Sequence, residues 1–238
     1  MLRHLALAAV LFAFAGVVMD AWVRLNSAGG PDPGGAMLRL LFGLAALGLA
    51  WWWWLSLNAR APRAASPSFG LGQKPSMGWE KTFGPARQLA QLALAALVIQ
   101  ITLGGWTSAT DATTACPDLP TCQNSWWPQM DFAAALHGRP DGTALIAIHF
   151  IHRLGAIVAT AALLLSALWV LRERGLARAR RAALAVLGTL GLQLLIGLAM
   201  VLEGFPLWLA TAHNGGAALT LLAVLALNFR LRAIAARA

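Results

Sequence analysis

The chain has 238 residues, of which 59% are hydrophobic and 11% charged, with a mean hydropathy of +0.66. That balance excludes an ordinary soluble domain. The net charge of +9 would suggest nucleic acid in a soluble protein, but here the cations sit in alternate loops between apolar runs, so no nucleic-acid partner is expected.

Runs of about 20 apolar residues read as transmembrane helices. The expected fold is all-α, a polytopic membrane protein with about six such helices and no competing β pattern. The first run, Leu5–Val23, follows Arg3 as a cleaved signal peptide would. It closes on Asp20, Trp22 and Arg24 rather than on a small-residue cleavage site, so a retained helix is expected. The second, Met37–Leu57, closes on Trp51-Trp52-Trp53-Trp54. Four consecutive tryptophans point around the whole helix, which suits an interfacial aromatic belt better than one binding face. Residues 58–88, rich in Pro, Ser and Gly, read as a linker between a two-helix front, 1–57, and a four-helix bundle, 89–238.

The remaining runs are Leu89–Thr107, Thr143–Leu171, Ala182–Leu202 and Leu207–Leu227. Arg3 starts the chain and Arg230, Arg232 and Arg237 end it. Arg60, Arg63, Lys74, Lys81 and Arg87 lie between spans two and three; Arg172, Arg174, Arg178, Arg180 and Arg181 lie between spans four and five. The other loops hold Asp32, Asp111, Asp118, Asp131, Asp141 and Glu203. The positive-inside rule then puts both termini in the cytoplasm and the acidic loops on the outer side.

Cys116 and Cys122, separated by Pro117-Asp118-Leu119-Pro120-Thr121, fall on that outer side. The compartment permits a disulfide and the prolines bend the segment back on itself. Two roles stay open: a staple that stiffens the loop, and a redox-active pair. The loop continues through Trp126-Trp127-Pro128, expected to lie on the membrane surface as a lid.

Two histidines lie inside apolar spans: His152 in span four and His213 in span six. An ionisable ring in the bilayer is expensive and marks a functional site by default. At 1.5 Å per residue they lie about 13 Å and about 9 Å from the outer ends of their spans. Such a pair suits the two axial positions of one haem iron. The alternative is two rings hydrogen-bonded to neighbouring helices. Zinc would want three or four ligands. An internal echo supports the haem reading. Gln100 precedes Gly104 by four residues in span three, Gln193 precedes Gly197 likewise in span five, and each helix is followed by one bearing a histidine. His149 shares roughly the face of His152, as a supporting group, a substitute ligand, a group near substrate or a plain interfacial residue. Arg153 suits an anionic haem propionate or snorkelling to the interface. Gly155, Gly215 and Gly216 would admit a flat macrocycle or close helix packing.

The stretch Gln100-Ile-Thr-Leu-Gly-Gly-Trp106, Ala115-Cys-Pro-Asp-Leu-Pro-Thr-Cys122, Trp126-Trp-Pro128 and His149-Phe-Ile-His-Arg153, closing with Gln193-x-x-x-Gly197 and His213, resembles the haem A synthase family over about Leu97 to Leu221. The resemblance is to the C-terminal half of the bacterial enzyme. It implies an eight-helix plan of two four-helix halves and oxidation of the C8 methyl of haem O to the formyl of haem A, for cytochrome c oxidase biogenesis. It implies a haem b between residues matching His152 and His213, and a disulfide matching Cys116 and Cys122. It implies haem O, haem O synthase and cytochrome c oxidase subunits as partners within the lipid bilayer. The family's N-terminal half holds the substrate haem between another histidine pair, with a glutamate in its first outer loop. Here the front has two spans, neither contains a histidine, His4 precedes the first, and the first outer loop carries Asp32 as its acid. A homo-oligomer would rebuild a second haem site. Two other readings are a non-catalytic haem b electron-transfer or assembly protein derived from the family, and a quinone-linked thiol oxidoreductase, which normally needs a second cysteine pair.

Overall fold

In a computed structural model of the chain, residues 2–26, 33–59, 77–136 and 141–235 are described. Asp32, Arg60, Arg63, Lys74, Arg237 and most of the expected linker lie outside them. The described residues are helical with no strands. Helices α1 (Leu2–Asn26), α2 (Pro33–Asn58), α3 (Met77–Ala109), α5 (Gly142–Arg172), α6 (Arg180–Leu202) and α7 (Leu207–Ala235) are the long ones. All six are long and apolar enough to cross a membrane, and they match the expected spans. The short α4 (Phe132–Ala135) stands in the loop before α5.

The helices begin and end where local chemistry permits. Pro33 opens α2, where a missing N–H costs nothing. Asp131 caps α4, its carboxylate accepting from the Ala134 N–H at 2.8 Å. Helix α6 ends at Gly204, φ 70°, and Phe205, φ 61°, with the Phe205 N–H returning to the Met200 carbonyl at 2.7 Å. Helix α3 starts well before the expected Leu89, and Pro85 lies within it. Pro85 has no N–H to give the carbonyl four residues before it, so α3 carries a missing hydrogen bond within its length.

Helices α3, α5, α6 and α7 form a closed ring, each packing on the next and α7 returning to α3. Helices α5 and α7 are therefore diagonal. The α1–α2 pair docks on the α7 side of the ring, and α2 also touches α3. Val10, Val17, Leu40, Leu44 and Leu47 from the front share one buried cluster with Leu97, Leu163, Leu190, Leu221 and Val224 from the ring. Helix α7 is consequently the most enclosed, with 44% of its most apolar window buried against 17% for the α6 segment.

Polar ties fix the docking. The Trp51 indole N–H donates to the Leu222 carbonyl of α7 at 2.9 Å. Trp51 stacks on Trp54 and Trp52 meets Phe229 edge-on, while the Arg232 guanidinium lies over the Trp52 ring. Trp53 alone of the four stays exposed. Three tryptophans of the expected belt thus make ring or hydrogen-bond contacts within the protein, because α7 passes beside that end of α2. Asn228 ties α7 to the Ala90 carbonyl of α3 at 3.0 Å, and Arg39 pairs with Asp20 at 3.5 Å across α1 and α2.

Candidate functional site: a histidine pair below a disulfide loop

The site grows from a device that occurs twice. In the first hairpin, α3 faces α5. Gln100 donates its side-chain N–H to the His152 carbonyl at 3.1 Å. In the second, α6 faces α7, and Gln193 donates to the His213 carbonyl at 3.0 Å. One turn on from each glutamine is a glycine. A Cβ at Gly104 would stand 3.0 Å from His152 Cε1, and one at Gly197 would stand 3.2 Å from His213 Cε1. Each imidazole therefore brings its Cε1 close to a side-chain-free patch of the opposite helix.

Both rings are half-buried. They sit on diagonal helices of the ring. The two surroundings differ in one respect. The Gln100 Nε2 lies 3.0 Å from His152 Nδ1, whereas His213 Nδ1 is buried with no partner. His152 Nε2 makes no hydrogen bond among the described residues. These are the groups a haem would need: two imidazoles on opposite helices, each with a nitrogen to offer, beside glycines that leave room at the ring. The residues fit the cofactor. Among the described residues no group of three or more His, Cys, Asp or Glu side chains could hold a separate metal ion.

His149 and Arg153 lie one turn apart on α5 and serve the loop. His149 is buried. Its Nδ1 pairs with the Ala112 carbonyl at 3.0 Å, and its Nε2 accepts from Arg153 Nε at 3.3 Å. Both ring nitrogens are thus engaged within the protein. Arg153 reaches up and donates to the carbonyls of Asp118 at 2.8 Å, Thr121 at 2.7 Å and Cys116 at 2.6 Å. A planar guanidinium with five donors is suited to gathering several carbonyls at once. One N–H remains over.

Those carbonyls belong to the ring closed by the Cys116–Cys122 disulfide, and both cysteines are buried. The loop is built tightly. Cys122 and Ser125 exchange both backbone hydrogen bonds around Gln123 and Asn124. These two residues have φ near 55° and 58°, the requirement of a type I′ turn, which asparagine tolerates well. Asp118 accepts from the Thr121 hydroxyl and from the Asn124 N–H. The Thr121 hydrogen bond is the largest influence holding the Asp118 carboxyl below its ordinary range; partial desolvation opposes it, and the backbone N–H groups of Asn124 and Gln123 assist. Trp127 meets Phe150 edge-on, and the faces of Trp126 and Trp127 are largely exposed.

A family model described as cytochrome oxidase assembly protein matches residues 1–225. Three similar proteins are named haem A synthase. One from Shewanella oneidensis is 37% identical over 157 residues, 60% of this chain and 47% of its own length. One from Erythrobacter litoralis is 35% identical over 136 residues, 55% of this chain and 37% of its own. One from Beijerinckia indica is 28% identical over 181 residues, 75% of this chain and 47% of its own. The chain belongs to the haem A synthase family. It is a multi-pass membrane protein by its six apolar helices and by that family. It spans less than half the length of these relatives.

Sequence reasoning singled out both Gln–Gly pairs and both histidines, and the structure brings them together as two equivalent corners. It did not foresee that the glutamines bind the histidines' own carbonyls, nor that Arg153 gathers the disulfide loop. The repeated four-residue spacing was the available signal for the first. No sequence signal marks the second, because the acceptors are main-chain carbonyls.

Proposed function

We propose that the protein is a haem-binding oxidoreductase of haem A biosynthesis, with His152 and His213 as axial ligands of a haem b. The observation that carries this is the duplicated corner, which sets two inward imidazoles on diagonal helices. A haem held there supplies one-electron transfer, the chemistry that oxidation of the haem O methyl to the haem A formyl draws on. His152 and His213 hold and orient the iron through their ring nitrogens. Gly104 and Gly197 keep side chains off the imidazole planes. The remaining N–H of Arg153 would be free to pair with an anionic propionate of a bound haem. The disulfide loop, held by Arg153 and His149, shields that end from water. With the basic ends of the helices in the cytoplasm, the loop faces the periplasm of a bacterial inner membrane. Haem O is then the substrate, and haem O synthase and cytochrome c oxidase subunits are the neighbours in the pathway.

A second reading is a non-catalytic haem b electron-transfer or assembly protein of the same family. It is favoured by the front of the chain. Of the five histidines, α1 and α2 hold only His4, at the end far from the loop, so no histidine pair in the front can hold a second haem. A homo-oligomer that builds a second site between copies would restore catalysis.

Two measurements test these readings. Purified protein is expected to show reduced haem b bands that vanish in His152→Ala and His213→Ala; bands that persist in both variants would overturn the ligand assignment. Expression in a strain that makes haem O but not haem A, followed by haem extraction, separates enzyme from relative. Haem A in the extract supports catalysis, and haem O alone supports the second reading.

A further inference from the structure

The glutamines do more than join helices. A helical carbonyl already accepts from the N–H four residues on, so the His152 and His213 carbonyls need no further partner to be satisfied. Gln100 and Gln193 nevertheless each spend an amide N–H on them. The other end of each amide lies against a glycine. A Cβ at Gly155 would collide with Gln100 Oε1, and a Cβ at Gly216 would collide with Gln193 Oε1. Both glycines stand three residues after the histidine. Each amide therefore lies flat along one turn of the histidine helix, between a carbonyl and a bare Cα. The opposing Gly104 and Gly197, one turn beyond the glutamines, face the imidazoles themselves. A cross-link made only to bind helices would not require space opposite the rings as well.

We infer that Gln100 and Gln193 are positioning residues for the axial histidines, and that Gln100 alone also sets the ring of His152 through Nδ1. The inference rests on the haem reading of His152 and His213. The two corners are alike at the main chain and unlike at the ring. Gln100 Nε2 lies 3.0 Å from His152 Nδ1, while Gln193 makes no such contact and His213 Nδ1 is buried without a partner. An imidazole that offers Nε2 to iron carries its proton on Nδ1 and needs an acceptor there. The Gln100 amide carries one, Oε1, which is buried and unpartnered. A half-turn of the amide would present it to Nδ1–H and release the His152 carbonyl, which keeps its own helical partner, so Gln100 would hold the carbonyl in the haem-free chain and the ring once iron is bound. The acceptor beside a ligating histidine governs how strongly the ring donates to iron. The His152 side of the haem is thereby tuned by Gln100, and the His213 side is left untuned.

The test uses the full chain reconstituted with haem b, and reads haem content, the low-spin electron paramagnetic resonance spectrum and the midpoint potential. Gln100→Glu keeps the shape but offers only acceptors, so it is expected to lower the potential; Gln193→Glu should shift it much less. Gln100→Ala should move the resonance positions by freeing the ring of His152, and Gln193→Ala should lower haem content several-fold with smaller spectral change. Where an alanine variant fails to fold, the nearly isosteric glutamate variant carries the test. Equal potentials for Gln100→Glu, Gln193→Glu and the parent would overturn the inference. If the histidine variants lose haem while all glutamine variants match the parent, only the positioning roles fail. If the histidine variants keep haem, the haem reading itself fails.

Discussion

Arg153 gives the sharpest quantitative expectation. Its guanidinium donates to three carbonyls of the disulfide ring, at 2.8, 2.7 and 2.6 Å. Charge-assisted hydrogen bonds contribute about 1.5–3 kcal/mol each. Arg153 is only half-buried, and water would replace part of the loss. Roughly 3 kcal/mol is then a reasonable net for closing the loop. Cys116 and Cys122 are 0% and 2% exposed, so a reductant reaches them only after the loop opens. At about 1.4 kcal/mol per decade, Arg153→Ala should raise the opening equilibrium on the order of 100-fold. The assay is disulfide reduction at fixed dithiothreitol, followed by thiol labelling with a polymer maleimide and a gel shift. Reduction should accelerate by about that factor where opening precedes attack. Arg153→Met, which keeps an apolar stem but has no donors, should behave as alanine does. Arg153→Lys should recover only part, since a point charge cannot fork to three carbonyls. Equal reduction rates for parent and Arg153→Ala would refute the claim that this side chain holds the loop.

The other expectations are smaller. Gly104→Val places a side chain 3.0 Å from His152 Cε1 and should cut haem content about as far as His152→Ala, measured by pyridine haemochrome; Gly191→Ala, which meets nothing within 4 Å, should leave it unchanged. The lowered pKa of Asp118 stabilises the loop above the ordinary carboxylate range, and that contribution is lost as pH falls through the depressed folded value. Loop tryptophan fluorescence should therefore show an acid transition at low pH that Asp118→Asn abolishes, and an unchanged transition in that variant would sink the assignment. Trp51→Phe removes the hydrogen bond to the Leu222 carbonyl and should lower stability in detergent by about 1 kcal/mol, read as a lower thermal midpoint; a midpoint equal to the parent's would show that the bond does not hold α2 on α7.

Legibility followed the physics of each contact. The spans were readable because bilayer thickness demands long apolar runs, and all six appear. Their ends were less so: α3 begins at Met77, inside the Pro-, Ser- and Gly-rich stretch that reads as a linker, and carries Pro85 within it. His152 and His213 stood out because polar rings in lipid are costly. The partners of Arg153, His149 and Trp51 were invisible, since each binds a main-chain carbonyl that every residue type carries. The carbonyls of Cys116, Ala112 and Leu222 become acceptors only through the fold. The packing of Trp51, Trp52 and Trp54 toward α7 was hidden for a related reason. Four tryptophans in a row say nothing about which neighbour passes beside them.

The two hairpins share one corner and differ in what closes them. Between α6 and α7 the connection is a few residues through Gly204 and Phe205. Between α3 and α5 it is a folded segment with a disulfide, a type I′ turn and the short α4. Arg153 lies next to His152 in sequence and gathers that segment, whereas Asn214, next to His213, donates to the Ala210 carbonyl within its own helix. Every asymmetry thus accumulates on His152: the Gln100 contact at its ring, the Arg153 clamp beside it and the disulfide above it. A bundle that used its two ligands only as equal supports would not need this. The His213 side lies in the closed hairpin, where α1 packs on α7 and Val18 stands 3.5 Å from where a Cβ on Gly215 would lie. On the haem reading proposed above, the two histidines would thus be held by unequal surroundings.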